Sequence, residues 1–155
     1  MFDGYDLAIL RAVQRDGRLT NVALSEAVNL SPSQCSRRLA RLEREGVIRG
    51  YHAQLAPGAV GLDVVAFVSV TLEKHRSNSA AAFHEAIAGR PEILDCWSVT
   101  GDADYLLRVV APDLKRFSRF LMDRLMTLPG VSHVRSSIAL DEIKSTTELP
   151  LDAME

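Results

Sequence analysis

The stretch Ser31–Arg49, SPSQCSRRLARLEREGVIR, restricts the fold more than any other. Ser31 can cap the first free amides of a helix. Pro32 suits the first helical position, where its missing N–H costs nothing, and Gln34 can reach back to close a capping box. Cys35, Leu39 and Leu42 recur at spacings of four and three, which gathers them on one apolar face. Ser33, Arg37, Arg41 and Arg44 fall on the opposite face, with Gln34 and Arg38 at its flanks. Gly46 is placed to end the helix in a left-handed conformation. The result is a short helix with an apolar back and a donor-rich front. Hydroxyl, amide and guanidinium groups are the types that bond base edges and phosphates in a major groove.

The residues before it give that helix a setting. Asp3 to Arg15 reads as a first helix capped by Asp3, with Leu7, Ile9, Leu10 and Val13 inward and Gly17 as its stop. Thr20 caps a shorter second helix with Ala23, Leu24, Ala27 and Val28 inward. Asn29 tolerates a left-handed turn, and Leu30 packs inward just before Ser31. Two short helices, a tight turn and a third helix with a polar front form a helix-turn-helix. Ile48 to Leu55 is predicted as a strand, with Arg49 beside the groove. The charge follows the same division. The chain of 155 residues carries −2 overall, yet Ser31–Tyr51 holds 5 Arg against 2 Glu. The positive footprint is local.

Ala56 to Gly61, APGAVG, breaks the composition and marks a hinge. Beyond it the period changes. Asp63–Glu73 is rich in β-branched residues and apolar on both faces, as expected of a covered strand. Asn78–Ala88 reads as a helix with Phe83 and Ile87 inward. Ile93–Thr100 and Tyr105–Ala111 read as strands around a Gly101–Asp104 turn. Asp113 caps a helix with Leu114, Phe117, Phe120, Leu121, Leu125 and Leu128 inward. Val131–Ile143 is the last strand, and the residues after it read as a fraying polar tail. The order β-α-β-β-α-β is the ferredoxin-like unit. Its helices can cover one sheet face only, and a second copy of the chain is the cheapest cover for the other. The fold class is therefore α+β: a winged helix-turn-helix domain (1–52), a linker strand and hinge (53–62), a ferredoxin-like domain (63–145) and a tail (146–155).

The chain as a whole resembles the Lrp/AsnC, or feast/famine, transcriptional regulators. The resemblance rests on Asp6-x-x-Ile9-Leu10, Gln14-x-Asp16-Gly17-Arg18, Leu30-Ser31-Pro32-Ser33 and Arg38-x-x-x-Leu42-Glu43-x-x-Gly46-Val47-Ile48. It continues through Gly101-Asp102-x-Asp104-Tyr105-Leu106-Leu107 and Leu128-Pro129-Gly130-Val131. One departure is Asn29, where the family commonly has Gly. The resemblance implies an operator-binding N-terminal domain and a C-terminal domain that senses an amino acid or similar metabolite. It also implies homodimers assembling further, often to octamers, and places the family's ligand at the Gly101–Asp104 loop, between dimers.

The DNA-contacting candidates are Ser33, Gln34, Arg37, Arg38, Arg41 and Arg49, with Arg38 the nearest to the apolar face and suited to positioning the helix. For the effector, Gly101, Asp102 and Asp104 come first: two carboxylates could pair an ammonium, and the turn's free amides could hold a carboxylate. Trp97, Ser98, Thr100, Ser136 and Ser137 are second choices near the same end. Cys35 and Cys96 sit in apolar patterns and read as reduced core residues rather than a metal pair. His52, His75, His84 and His133 are scattered and read as surface or linker residues, so no metal or cofactor is expected. No apolar run approaches the roughly 18 residues of a membrane span, and no export leader is read. The expected location is cytoplasmic and nucleoid-associated. Nothing demands catalysis. Two alternatives stay open: a nucleoid-structuring protein of low sequence preference, and an enzyme like the haem-pathway decarboxylases, which share this layout.

Overall fold

The computed structural model describes residues 2–73 and 79–151. The chain forms two compact units. The first comprises Met1–Gln54 with Lys144–Glu155, the second Leu55–Ile143.

The first unit holds three helices: α1 (Gly4–Arg15), α2 (Asn21–Ala27) and α3 (Pro32–Arg44). Asp3 caps α1 and closes a capping box with Asp6. Thr20 caps α2, and Ser31 caps α3 in a box with Gln34, Pro32 standing in its first turn. Asn29 supplies the left-handed residue between α2 and α3 (φ 54°). The turn is tied down by Leu30 N–H donating to the Ser25 carbonyl at 3.0 Å and by Asn21 Nδ2 donating to the Pro32 carbonyl at 3.0 Å. Ile9, Leu10, Leu24, Val28, Cys35 and Leu42 form the core, with Val13, Leu30, Leu39 and Ile48 against it. Ala27, read as inward, is exposed; Ser25 is buried instead and bonds the Val22 carbonyl at 2.8 Å. Asp16, not Gly17, ends α1, in an extended conformation. Gly17 serves a neighbour: a Cβ there would meet Tyr51 Cδ1 at 3.0 Å.

The strand predicted over Ile48–Leu55 does not form. A strand needs a hydrogen-bonded neighbour, and no strand among the described residues lies beside this segment. Residues 146–151, predicted to fray, instead lie on α1. Leu149 N–H donates to Gln14 Oε1 at 2.7 Å and Gln14 Nε2 donates to the Leu149 carbonyl at 3.3 Å. Glu148 pairs with Arg15, Gln54 Nε2 reaches Thr147 Oγ1, and Leu151 packs against the helical core.

In its described residues, the second unit opens with a 3-10 turn over Pro57–Val60 and continues as a four-stranded antiparallel sheet with two α-helical segments. Its elements are β1 (Val64–Leu72), α4 (Ser79–Ala88), β2 (Ile93–Ser98), β3 (Tyr105–Ala111), α5 (Leu114–Arg119) and β4 (Val131–Ile138), and α5 continues as a π-helical turn over Phe120–Leu125. The order β2-β3-β1-β4 is that of the ferredoxin-like unit. Alternate β1 residues Val64, Ala66, Val68, Val70 and Leu72 join Leu107, Val109, Phe83, Phe117, Phe120 and Leu125 in one core. The π turn explains why Phe120 and Leu125, five apart, are both buried. Leu114, read as inward, is 57% exposed because it opens the helix ahead of that apolar face. Cys96, read as core, is exposed on edge strand β2. β4 stops at Ile138 rather than Ile143, since β1, its partner, begins at Val64 and the last bond is Ala139 N–H to the Val65 carbonyl. Asn78, the predicted start of α4, and His75 fall outside the described residues.

The docked tail generates a test. Truncation after Thr146 removes two hydrogen bonds to Gln14 and the Leu151 contact; the exposed Arg15–Glu148 pair counts for little. The first unit should lose about 1–2 kcal/mol, read as a lower urea midpoint. An unchanged midpoint would show that the tail adds nothing.

Candidate functional site

α3 divides into a front and a flank. Ser33, Ser36, Arg37, Ala40 and Arg44 are exposed. Among the described residues Arg37 and Arg44 have no ion-pair partner. Ser33 Oγ lies 3.3 Å from Ser31 Oγ, and Gln34 Oε1 accepts the Ser31 N–H at 3.5 Å, so both predicted readers are tied to the cap. Arg49 is exposed.

Arg38 and Arg41 are held differently. Arg38 Nη1 donates to Asp3 Oδ2 and to Asp6 Oδ1, each at 2.8 Å, and its guanidinium sits 5.5 Å over the Tyr5 ring. Arg41 Nη2 donates to Asp6 Oδ2 at 2.6 Å. Asp6 is 2% exposed, whereas the two arginine side chains are 25% and 35% exposed. Burial pushes the Asp6 carboxyl up, but the hydrogen bonds from Arg41 and Arg38 outweigh it and hold the group below its ordinary 3.8. Asp3 is also held low, first by the Asp6 N–H and then by Arg38. Both arginines are raised, chiefly by their bonds to Asp6. This acid was missed in the sequence. Its signal was available: a carboxylate one residue from Leu7, on the turn that Asp3 caps.

The other site candidates do not gather at one place. Gly101 holds φ 113°, a conformation that favours glycine. Asp104 is already engaged, with Oδ2 accepting the Leu72 N–H at 2.7 Å at the bulge where β1 and β4 shift register. Its own N–H donates to the Val70 carbonyl at 3.0 Å. The Asp102 carboxylate is exposed and has no partner among the described residues. The N–H groups of Gly101, Asp102 and Ala103 likewise find no acceptor among the described residues. Thr100 adjoins them. Trp97 and Ser137 lie on the open sheet face, paired with Leu106 and Phe67, whereas Ser98 and Ser136 pair with Tyr105 and Val68 on the helix-covered face. Ser137 pairs with Phe67, which is four residues, or about 13 Å at strand rise, from Thr71. The open face also carries Phe67 at 41% and Trp97 at 46% exposure, beside the Arg108–Asp95 ion pair.

No helix among the described residues is long and apolar enough to cross a membrane. A capped recognition-type helix behind a left-handed turn, followed by a ferredoxin-like domain with an open loop, defines a DNA-binding regulator carrying a ligand-binding domain. The comparisons agree. Residues 2–49 match the winged helix-turn-helix DNA-binding family and residues 65–149 match the Lrp/AsnC ligand binding domain. The chain is 40% identical to the DNA-binding transcriptional activator DecR of Escherichia coli over 98% of this chain and 100% of that protein. It is 39% identical to the leucine-responsive regulatory protein of Klebsiella pneumoniae, covering 95% and 90%. It is also similar to the crystal structure of a transcriptional regulator in complex with L-Met from Neisseria meningitidis, with a TM-score of 0.96, 43% identity and full coverage of both chains. The chain belongs to the Lrp/AsnC family of DNA-binding transcriptional regulators.

The Asp6 cluster sets the acid response of the first unit. A carboxylate whose folded pKa lies below 3.8 adds stability above that value and loses it as pH falls through the folded pKa. Asp6→Ala removes the charge-assisted bonds to Arg38 and Arg41, both partly solvated, and should cost about 2 kcal/mol at pH 7. Urea unfolding from pH 7 downward should therefore show a larger wild-type loss below about pH 4 than the variant shows. Parallel curves for the two would remove this role.

Proposed function

We propose that this chain is a sequence-specific regulator that enters the operator's major groove with α3 and is gated by an amino-acid-like effector at the Gly101–Asp104 turn. The observation carrying the first half is the exposed front of α3, where Ser33, Arg37 and Arg44 share one face behind a doubly bonded cap. Ser33, Gln34 and Arg37 are the base-edge candidates, and Arg44 and Arg49 meet phosphate. Arg38 and Arg41 serve to hold the helix. Arg37→Ala should cost about 1–3 kcal/mol of operator affinity if the side chain pairs with a base, or flatten the salt slope by about 1 if it meets a phosphate. The check is anisotropy with operator and random duplex across a salt series. A large ratio between the two duplexes separates this reading from a nucleoid-structuring protein. An Arg37→Ala protein indistinguishable from wild type at every salt concentration would refute the assignment.

The second half rests on three open amides beside a free carboxylate. Gly101, Asp102 and Ala103 offer N–H groups for an effector carboxylate, and Asp102 offers a partner for its ammonium. Asp104 shapes the turn and has one oxygen left over. Thr100 stands nearest to them, with Trp97, Ser98, Ser136 and Ser137 more remote. The Neisseria relative's L-Met complex points to the same chemistry. The open sheet face would be covered by a second copy, giving homodimers that assemble further toward octamers in the cytoplasm, on the nucleoid. Calorimetry with the twenty amino acids, run beside analytical ultracentrifugation, should find one that binds wild type and binds Asp102→Asn at least ten-fold more weakly, about 1.4 kcal/mol. Equal binding to both would reduce the loop to a turn.

A further inference from the structure

We propose that Asp6 is a specificity-determining residue, one that withholds Arg38 and Arg41 from the DNA backbone so that the cations α3 offers the duplex are Arg37 and Arg44. The proposal rests on the reading of α3 as the groove-entering helix.

Four arginines stand along one side of α3, around a shallow groove lined by Asp3, Arg37, Arg38, Ala40, Arg41 and Arg44. Four cations so placed would attract any duplex, whatever its sequence, because phosphate contacts carry no base information. Two of them are not available. Each oxygen of the Asp6 carboxylate takes one arginine, Arg38 on Oδ1 and Arg41 on Oδ2. Asp3 takes Arg38 a second time, and the Tyr5 ring lies beneath its guanidinium. Moving Arg41 to a phosphate would strip a carboxylate that is 2% exposed of one of its two cations. Arg41 would give up a charge-assisted bond of 2.6 Å to reach a phosphate, so it gains less from the exchange than an unpaired arginine does. Arg37 and Arg44 face no such loss. Asp6 touches no DNA in this scheme; it acts by fixing what its neighbours can reach. Freed arginines would strengthen binding to random duplex more than to operator, and the ratio between the two would fall.

The test uses the full-length chain and a duplex of scrambled sequence, with binding constants measured across a salt series. Each cation that meets a phosphate contributes about 0.9 to the slope of log K against log salt. Asp6→Asn should bind the scrambled duplex more tightly, with a slope steeper by about 1 to 2. A residue that merely held the fold would weaken binding and leave the slope alone. Arg41→Gln should leave the wild-type slope unchanged, whereas Arg44→Ala should flatten it by about 1. If Asp6→Asn melts at the assay temperature, Arg38→Gln and Arg41→Gln decide the matter, because withheld cations contribute no slope. The proposal is overturned if Arg41→Gln flattens the slope as Arg44→Ala does, or if folded Asp6→Asn matches wild type. If Arg37→Ala and Arg44→Ala both leave affinity and slope unchanged, α3 does not meet the duplex, and the underlying reading fails with the proposal. A wild type that binds neither operator nor scrambled duplex would refute that reading directly.

Discussion

The carboxylate of Asp6 is the contact on which the first unit turns. Three helices this short bury few residues, so packing alone sets the rotation of α3 loosely. A buried anion changes that. Asp6 stands on α1, bonded through its N–H to the Asp3 cap and through both oxygens to α3. An ion pair at this depth has a fixed geometry, because leaving either side unpaired is costly. α3 is thereby held at two points on its flank, Arg38 and Arg41, while Cys35 and Leu42 fill the core behind it. The front is what remains: small residues at Ser36 and Ala40, which let a partner approach, between the cations Arg37 and Arg44.

The second unit is organised by β1, the strand paired on both sides. Its inward residues form the core, and its outward ones, Val65, Phe67, Ser69 and Thr71, leave a face on which no helix packs. The end of the same strand sets the Gly101–Asp104 turn. At Leu72 the pairing with β4 slips, and the free N–H is taken by Asp104. The turn is thus pinned from one side by its last residue, while Gly101 bends the chain away at the other. Among the described residues, the Gly101, Asp102 and Ala103 amides find no acceptor.

Much of the fold could be read from periodicity and caps. Asp3, Thr20, Ser31 and Asp113 all cap the helices expected of them, and Asn29 takes the left-handed turn. The β-branched run Asp63–Glu73 and the run Tyr105–Ala111 read as strands at nearly their observed bounds. Failures came where an element depends on something outside its own segment. Ile48–Leu55 has strand composition and no partner. Val131–Ile143 loses its last residues because β1 ends first. Leu114 continues the apolar spacing backward, yet the spacing that matters is re-phased at Phe120 by a π turn that no local pattern announces.

The candidate sites were legible in kind but not in assignment, for a related reason. Helical spacing places Arg37 and Arg41 on one face with equal weight, and their different roles are decided by Asp6, 35 residues from Arg41 in the chain. Spacing likewise treats Asp102 and Asp104 as a pair, although one is free and the other is spent on Leu72. A charged side chain has one set of partners. Once a buried group has claimed it, the same residue type at the same spacing no longer offers that charge to a ligand. The tail shows the opposite case: Leu149 and Leu151 look expendable in a polar run, and only the fold brings Gln14, 135 residues away, to meet the backbone of the first. Local pattern therefore determines which groups a surface could present, and long-range polar pairing determines which of them remain free.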